Sequence, residues 1–402
     1  MSAYAVAESE GFLKLDTMEN PYTLPDELKT ELGQRLANVA LNRYPVPSYT
    51  RLKEKICKQM GIPQGYGVML GNGSDELISL IAQACARKDT RATMLTPVPC
   101  FAMYVLSAQF AGMDFVGVPL KTDFTLDIGA MLAAIEKHRP TVVYLAQPHN
   151  PTGMLFDERD IIQIIEAMSD KGIVISDEAY QPFAESSFMP HLPKYPNLVV
   201  MRTVSKLGLA GIRLGYMSAI PELLTEFDKV RPPYNINVLT EATAEFAMDH
   251  IDVFNGQAAI IREERGKLTE ALRRLPGVEV FTSRANFLLI RLPNAEAVFE
   301  KLLARKILVK NMGKMHTLLH NCLRVTVSSP EENRQFMDQF KACIQYSFRN
   351  ASCQRPEPRK SSAIPTRQKF TWQSIWTEPV DKIFRPAFRF LTTCSTRSHV
   401  TV

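Results

Sequence analysis

The chain lacks the features that mark membrane, secreted and nucleic-acid-binding proteins. No apolar run reaches the roughly 18 residues a membrane-spanning helix needs. The start, Met1-Ser2-Ala3-Tyr4-Ala5-Val6-Ala7-Glu8, has neither the basic nor the apolar region of a secretion signal. Cysteine is sparse: seven in 402 residues, an odd number without a CxxC pair, which argues against a disulfide framework and against a zinc site. No internal repeat is visible, and neither a P-loop nor a full dinucleotide fingerprint occurs. A soluble, reduced, cytoplasmic protein is expected, with no metal and no membrane or nucleic-acid partner.

What is present has a globular balance, 46% apolar and 22% charged. At about 150 residues per domain the length suits two or three domains. The net charge of +5 hides an asymmetry. Residues 349–402 hold ten Lys and Arg against three acids, so this tail is +7 and the remainder is −2. The body therefore offers no field that would gather a polyanion. The tail has five prolines, many Ser and Thr, no helical periodicity and both tryptophans, Trp372 and Trp376. Such composition is that of a disordered extension. Its basic–aromatic run from Ile383 to Phe390 has residue types that stack on single-stranded nucleic acid, but a flexible extension is the simpler reading.

Between residues 12 and 345, short β-rich runs alternate with helical patterns. Val68-Met69-Leu70 ends at a Gly-rich turn, and a helix begins near Ser74. Thr141–Ala146 reads as a buried strand ending in a Pro/Asn/Gly turn, after which Asp157 caps a helix. Gly172–Ser176 and Leu198–Met201 are further strands. This alternation predicts an α/β fold with a mostly parallel central sheet, whose ligands sit at the carboxyl ends of the strands. From about residue 250 a long helical stretch, Val253–Leu275, and strands at Phe287–Leu292 and Leu323–Val327 predict a smaller α+β unit. The expected division is an arm plus part of the small domain in 1–42, a large cofactor-binding domain in 43–250, the small domain in 251–348 and the tail in 349–402.

Three segments fall at expected strand ends: Asn150-Pro151-Thr152-Gly153, Ser176-Asp177-Glu178-Ala179-Tyr180, and Thr203-Val204-Ser205-Lys206 leading to Gly211-Ile212-Arg213. Taken singly, each has a plain explanation as a turn, a helix cap or a surface charge. Together they supply what an electron-sink cofactor requires. Lys206, among Val204, Leu207 and Leu209, has an apolar setting that favours the neutral, nucleophilic amine. A carboxylate at the end of a buried strand, Asp177, needs a cationic partner, and a protonated ring nitrogen is one. Tyr180 and Asn150 can order a ring hydroxyl. Thr203, Ser205 and Arg213 offer two hydroxyls and a guanidinium to a phosphate. The turn Gly71-Asn72-Gly73-Ser74-Asp75-Glu76 adds backbone N–H groups at a helix start, a second seat for the same anion.

With these pieces in view, the sequence resembles the fold-type I, pyridoxal-phosphate-dependent aminotransferases of class I and II over residues 12–345, and within them the branch acting on histidinol phosphate. The resemblance also rests on Leu15-Asp16-Thr17-Met18-Glu19-Asn20-Pro21-Tyr22, Asn42-Arg43-Tyr44-Pro45, Gly211–Gly215, Arg231-Pro232-Pro233-Tyr234-Asn235 and Leu323-Arg324-Val325-Thr326-Val327. It implies an aspartate-aminotransferase-like fold, pyridoxal 5'-phosphate as cofactor, an amino donor and a 2-oxo acid acceptor as substrates, and a homodimer. It implies that Lys206 carries the cofactor as an imine and shuttles the proton, and that Asp177 pairs with the ring nitrogen. Asn150 and Tyr180 would face the ring oxygen, and Phe101 would stack on the ring. Ser74, Asp75, Thr203, Ser205 and Arg213 would hold the phosphate, and Tyr44 would reach the phosphate of a neighbouring subunit. Arg324 would receive the substrate anion, and the arm around Asn20 and Tyr22 would cover the pocket.

Four positions depart from the family pattern. Arg213 follows Lys206 at a spacing of seven positions where eight is common, a difference that Gly208 can absorb. Phe101 stands where tyrosine is common, His149 where a second asparagine is frequent, and Ser328-Ser329 where Gly-Thr is frequent. The alternatives are an aminotransferase of aromatic amino acids, a decarboxylase on the same cofactor, and a non-catalytic binding module. The last is disfavoured because no helix-turn-helix precedes the fold.

Overall fold

In the computed structural model the described residues are 9–86 and 91–352. The strands are β1 (Leu13–Lys14), β2 (Gly67–Asn72), β3 (Thr93–Val98), β4 (Asp114–Pro119), β5 (Val142–Ala146), β6 (Ile173–Asp177), β7 (Leu198–Thr203), β8 (Leu214–Ala219), β9 (Glu279–Val280), β10 (Phe287–Arg291), β11 (Ile307–Leu308), β12 (Lys310–Asn311) and β13 (Cys322–Thr326). Seven of them form one sheet in the order β2-β8-β7-β6-β5-β3-β4. β8 alone runs against its neighbours. A parallel crossover needs a dozen or more residues, and only ten link β7 to β8, so the chain returns antiparallel. That short return is the segment carrying Lys206 and Arg213.

β5, β6 and β7 are buried along almost their whole length. Their unbroken apolar runs follow from cover on both faces by helices. On one face Leu145, Val174 and Val200 pack with Ile161, Ile164 and Ile165 of the helix Glu158–Ala167. On the other, Tyr144, Ile175 and Val199 pack with Leu77, Ile78 and Ile81 of the helix Gly73–Cys85. Asp157 caps the first of these helices, its side chain accepting from the Arg159 amide.

β12-β13-β10-β9 form a second, antiparallel sheet. Its apolar side packs with the long helices Ile251–Arg273 and Pro330–Ser352 through Leu268, Phe287, Leu323, Phe336 and Phe340. Leu15 and Met18 belong to the same cluster. β1 lies parallel to β11, and the Thr326 amide donates to the Leu15 carbonyl. The last helix extends to Ser352, so the first four residues of the expected tail are helical. The rest of the tail lies outside the described residues. Among the described residues, no helix is long and apolar enough to cross a membrane.

Candidate active site

The carboxyl ends of β2, β3, β5, β6 and β7 deliver their following turns to one cavity of about 410 Å³. It is lined by Ser74, Asp75, Phe101, Asn150, Asp177, Tyr180, Thr203, Ser205, Lys206, Arg213 and Arg324. The structure thus brings together every expected site residue except three. Asn20 and Tyr22 do not line the cavity. Asn20 donates to the Leu207 carbonyl at 2.9 Å and to Gln257 Oε1 at 3.0 Å, and accepts from the Tyr22 amide. It braces the turn that carries Lys206, while Tyr22 packs beside the cluster of the smaller sheet. The lining from this arm comes from Asp16, Thr17 and Met18 instead. Tyr44 is the third exception: its ring is 81% exposed and stacked on Tyr234 at 4.8 Å.

Lys206 sits in a tight π-type turn, Ser205–Leu209. Val204, Leu207 and Leu209 anchor that turn in a core with Leu70, Tyr216 and Phe254. The amine itself donates to the Thr17 carbonyl at 2.7 Å. Burial, reinforced by the Arg324 charge, lowers its pKa to about 8. Gly208 adopts φ +137°, and a Cβ there would lie 3.0 Å from Asn20 Nδ2. This left-handed residue accommodates the short spacing, and both Lys206 and Arg213 reach the cavity.

Asp177 is buried at the end of β6, and burial raises its pKa to about 6. Its Oδ2 accepts from Tyr104 OH at 2.5 Å, and its Oδ1 accepts from the Ala179 amide at 3.2 Å. Next to it, Glu178 is paired with Arg202 at 2.9 Å and accepts further bonds from Ser187 and the Phe188 amide. This buried ion pair ties the loop after β6 to β7.

The anion seat is compact. Thr203 Oγ1 donates to Ser205 Oγ at 2.9 Å, and Arg213 Nη1 donates to the same oxygen at 3.3 Å. Arg213 Nη2 is 3.5 Å from Asp75 Oδ2. Gly73 opens the neighbouring helix with φ +72°, and a Cβ there would meet Arg213 Nη2 at 2.6 Å. Only glycine lets the guanidinium lie across that helix start.

A second cationic group lines the same cavity. Arg324, buried on β13, donates to Asn150 Oδ1 at 2.7 Å and to the Asp16 carbonyl at 3.1 Å. Asn150 in turn donates to Tyr180 OH at 3.3 Å. Lys310, in register with Arg324 on the adjacent strand, also lines the cavity. Lys310 and Tyr104 are the cavity residues that carry no strong signal in the sequence. Tyr104 stands one helical turn beyond Phe101, a spacing that could have placed it on the same face. Lys310 is found only through the register of β12. His149, by contrast, is buried outside the cavity against Thr152 and Phe156, and burial lowers its pKa to about 3.

The donor set fits pyridoxal phosphate: a buried carboxyl facing the cavity, a lysine of lowered basicity, and a hydroxyl–guanidinium seat for a phosphate. Over residues 10–340 the chain matches the family described as aminotransferase class I and II. It is 59% identical over 348 residues to histidinol-phosphate aminotransferase 1 of Ralstonia nicotianae, covering 86% of this chain and 92% of that protein. Identity to histidinol-phosphate aminotransferase 2 of Cupriavidus pinatubonensis is 58%, covering 86% and 94%. The solved structure of histidinol-phosphate aminotransferase from Sinorhizobium meliloti, in complex with pyridoxal-5'-phosphate, shares the fold with a TM-score of 0.77 at 21% identity, covering 86% and 96%.

Proposed function

The chain belongs to the class I and II aminotransferases, and from that premise we propose that it transfers an amino group between histidinol phosphate and 2-oxoglutarate, giving imidazole acetol phosphate and glutamate in histidine biosynthesis. The observation that carries the choice of substrate is the 59% identity to a histidinol-phosphate aminotransferase, and two separate cationic sets in one cavity, Arg213 with its hydroxyls and Arg324 with Lys310, accommodate it. The first suits a cofactor phosphate. The second suits the distal anion of either substrate, because a guanidinium fork fits a carboxylate or a phosphate.

Pyridoxal phosphate, when bound, supplies an aldehyde that captures amines and a ring that takes up the electron pair left by a departing Cα proton. The protein's part is placement and proton transfer. Lys206 Nζ takes up the Cα proton and would deliver it to the carbon that was the cofactor's aldehyde, the relocation that amino transfer requires. Its lowered basicity leaves a useful fraction neutral near pH 7–8. The Asp177 carboxylate holds the positive charge of a ring nitrogen, which relieves the cost of its burial. Asn150 and Tyr180 order the ring hydroxyl, and Phe101 covers the ring face. Thr203, Ser205, Arg213 and the amides of Ser74 and Asp75 hold the phosphate.

The seven-stranded sheet lies wholly within 67–219, and the smaller sheets use 13–14 and 279–326, which supports division into a large cofactor-holding domain and a smaller covering one. Tyr44, with Leu41 and Val46 at 70% and 68% exposure, supports a face that pairs with a second copy in a homodimer. A cytoplasmic site suits the biosynthetic role.

A half-reaction panel tests the reading. The visible absorbance of the cofactor-loaded protein is followed with histidinol phosphate, glutamate, phenylalanine and aspartate in turn. Rapid conversion with the first two is expected. Conversion with phenylalanine but not histidinol phosphate would replace it by an aromatic aminotransferase.

A further inference from the structure

We propose that Tyr104 is a positioning residue for Asp177: its phenol donates to Oδ2, fixes the plane of the carboxylate and holds it ionised toward the cavity. The inference deepens the proposed function and rests on its assignment of Asp177 to a ring nitrogen. Tyr104 lies on the helix Ala102–Phe110, is 1% exposed, and places its hydroxyl 2.5 Å from Oδ2. Its ring is clamped, stacked on Tyr144 at 4.6 Å and met edge-on by Phe101 at 5.8 Å. The donor therefore arrives in one fixed geometry. The Ala179 amide fixes the other oxygen.

An ionised carboxylate offers about four lone-pair positions. Here two are filled by fixed protein donors, and the rest remain for a ring N–H. The surroundings oppose ionisation. Burial disfavours the anion, and the charges of Asp75, from the helix Gly73–Cys85, and of Glu178 act in the same direction. Tyr104 and the Ala179 amide are the donors that work against them. Burial also keeps the Tyr104 phenol protonated far above its ordinary range, so it remains a donor at any working pH.

The test titrates cofactor-free protein by difference infrared spectroscopy, reading the carboxyl band that disappears in Asp177→Asn. In Tyr104→Phe the midpoint should rise by at least one pH unit, because the donor that favours the anion is gone. In Tyr144→Phe, which removes a buried phenol without a hydrogen-bond partner among the described residues, it should stay at the wild-type value. Release of pyridoxal phosphate from loaded Tyr104→Phe should be at least fivefold faster. An unmoved midpoint in Tyr104→Phe, or an equal rise in Tyr144→Phe, overturns the role of Tyr104. If Tyr104→Phe does not fold, wild-type protein grown with 3-fluorotyrosine, a stronger donor, replaces it. The midpoint should then fall, and an unmoved one overturns the proposal. Wild-type protein that binds no pyridoxal phosphate overturns the assignment of Asp177 instead, while the midpoints still report on the tyrosine contact.

Discussion

Arg324 donates to Asn150 across 174 positions of sequence, at 2.7 Å and in a buried setting. This bond joins the group expected to receive the substrate anion to one expected to order the cofactor ring. Hydrogen bonds to charged groups contribute about 1.5–3 kcal/mol. In Asn150→Ala, kcat/KM for both anionic substrates should therefore fall roughly ten- to a hundredfold. Steady-state kinetics with each substrate varied would show it; a loss confined to one substrate would argue against a shared guanidinium.

The lysine has its own pH signature. Lys206 has a pKa lowered to about 8 by burial, so its neutral fraction rises tenfold per pH unit below 8 and levels off above. The rate at which cofactor-free protein takes up pyridoxal phosphate should follow that curve in stopped-flow absorbance. Borohydride should trap the cofactor on the peptide containing Lys206. Lys206→Ala should show no trapping, and its turnover should fall by at least about 10²–10⁴-fold.

Asp177 carries a stability cost. Its pKa is raised from 3.8 to about 6, so the folded, cofactor-free state binds the proton more tightly than the unfolded chain. The contribution is fully present below about pH 3.8 and is lost as pH rises through about 6. At pH 8, Asp177→Asn should thus be more stable than wild type by about 3 kcal/mol, at roughly 1.4 kcal/mol per pH unit. Urea melts of the cofactor-free proteins would measure this. The variant should be inactive, and an equal or lower stability would contradict the raised pKa of the buried carboxyl.

Gly73→Ala tests the anion seat. The new methyl would meet Arg213 Nη2 at 2.6 Å on a residue with φ +72°. Displacing the guanidinium should weaken pyridoxal phosphate affinity about tenfold or more, from one charge-assisted contact. Binding of unphosphorylated pyridoxal should be nearly unchanged. Equal losses for both ligands would point to general damage.

Much of this site is legible in the sequence because its parts are local. Thr203, Ser205, Lys206 and Arg213 share one short connection, and Asp177 and Tyr180 share one turn. Each follows a strand whose apolar run is unmistakable, and parallel sheets gather such turns at one edge. The parts that depend on long-range register are different. Nothing local says that Lys310 lies opposite Arg324, or that Asn20 turns away to brace Leu207 while Thr17 faces the amine. Tyr104 reads as one more apolar position on a buried helix until its hydroxyl is seen against Asp177.

The strap formed by residues 13–18 has a temporal consequence. It lies beside β11, bonds to Thr326, and supplies the carbonyl that holds Lys206. β11 and Thr326 leave the ribosome some 300 residues later, which at about 5–20 residues per second is a wait of roughly 15–60 s. The nascent protein can build its central sheet during that interval but cannot finish its catalytic chamber. Competence to act thus arrives only as translation nears its close.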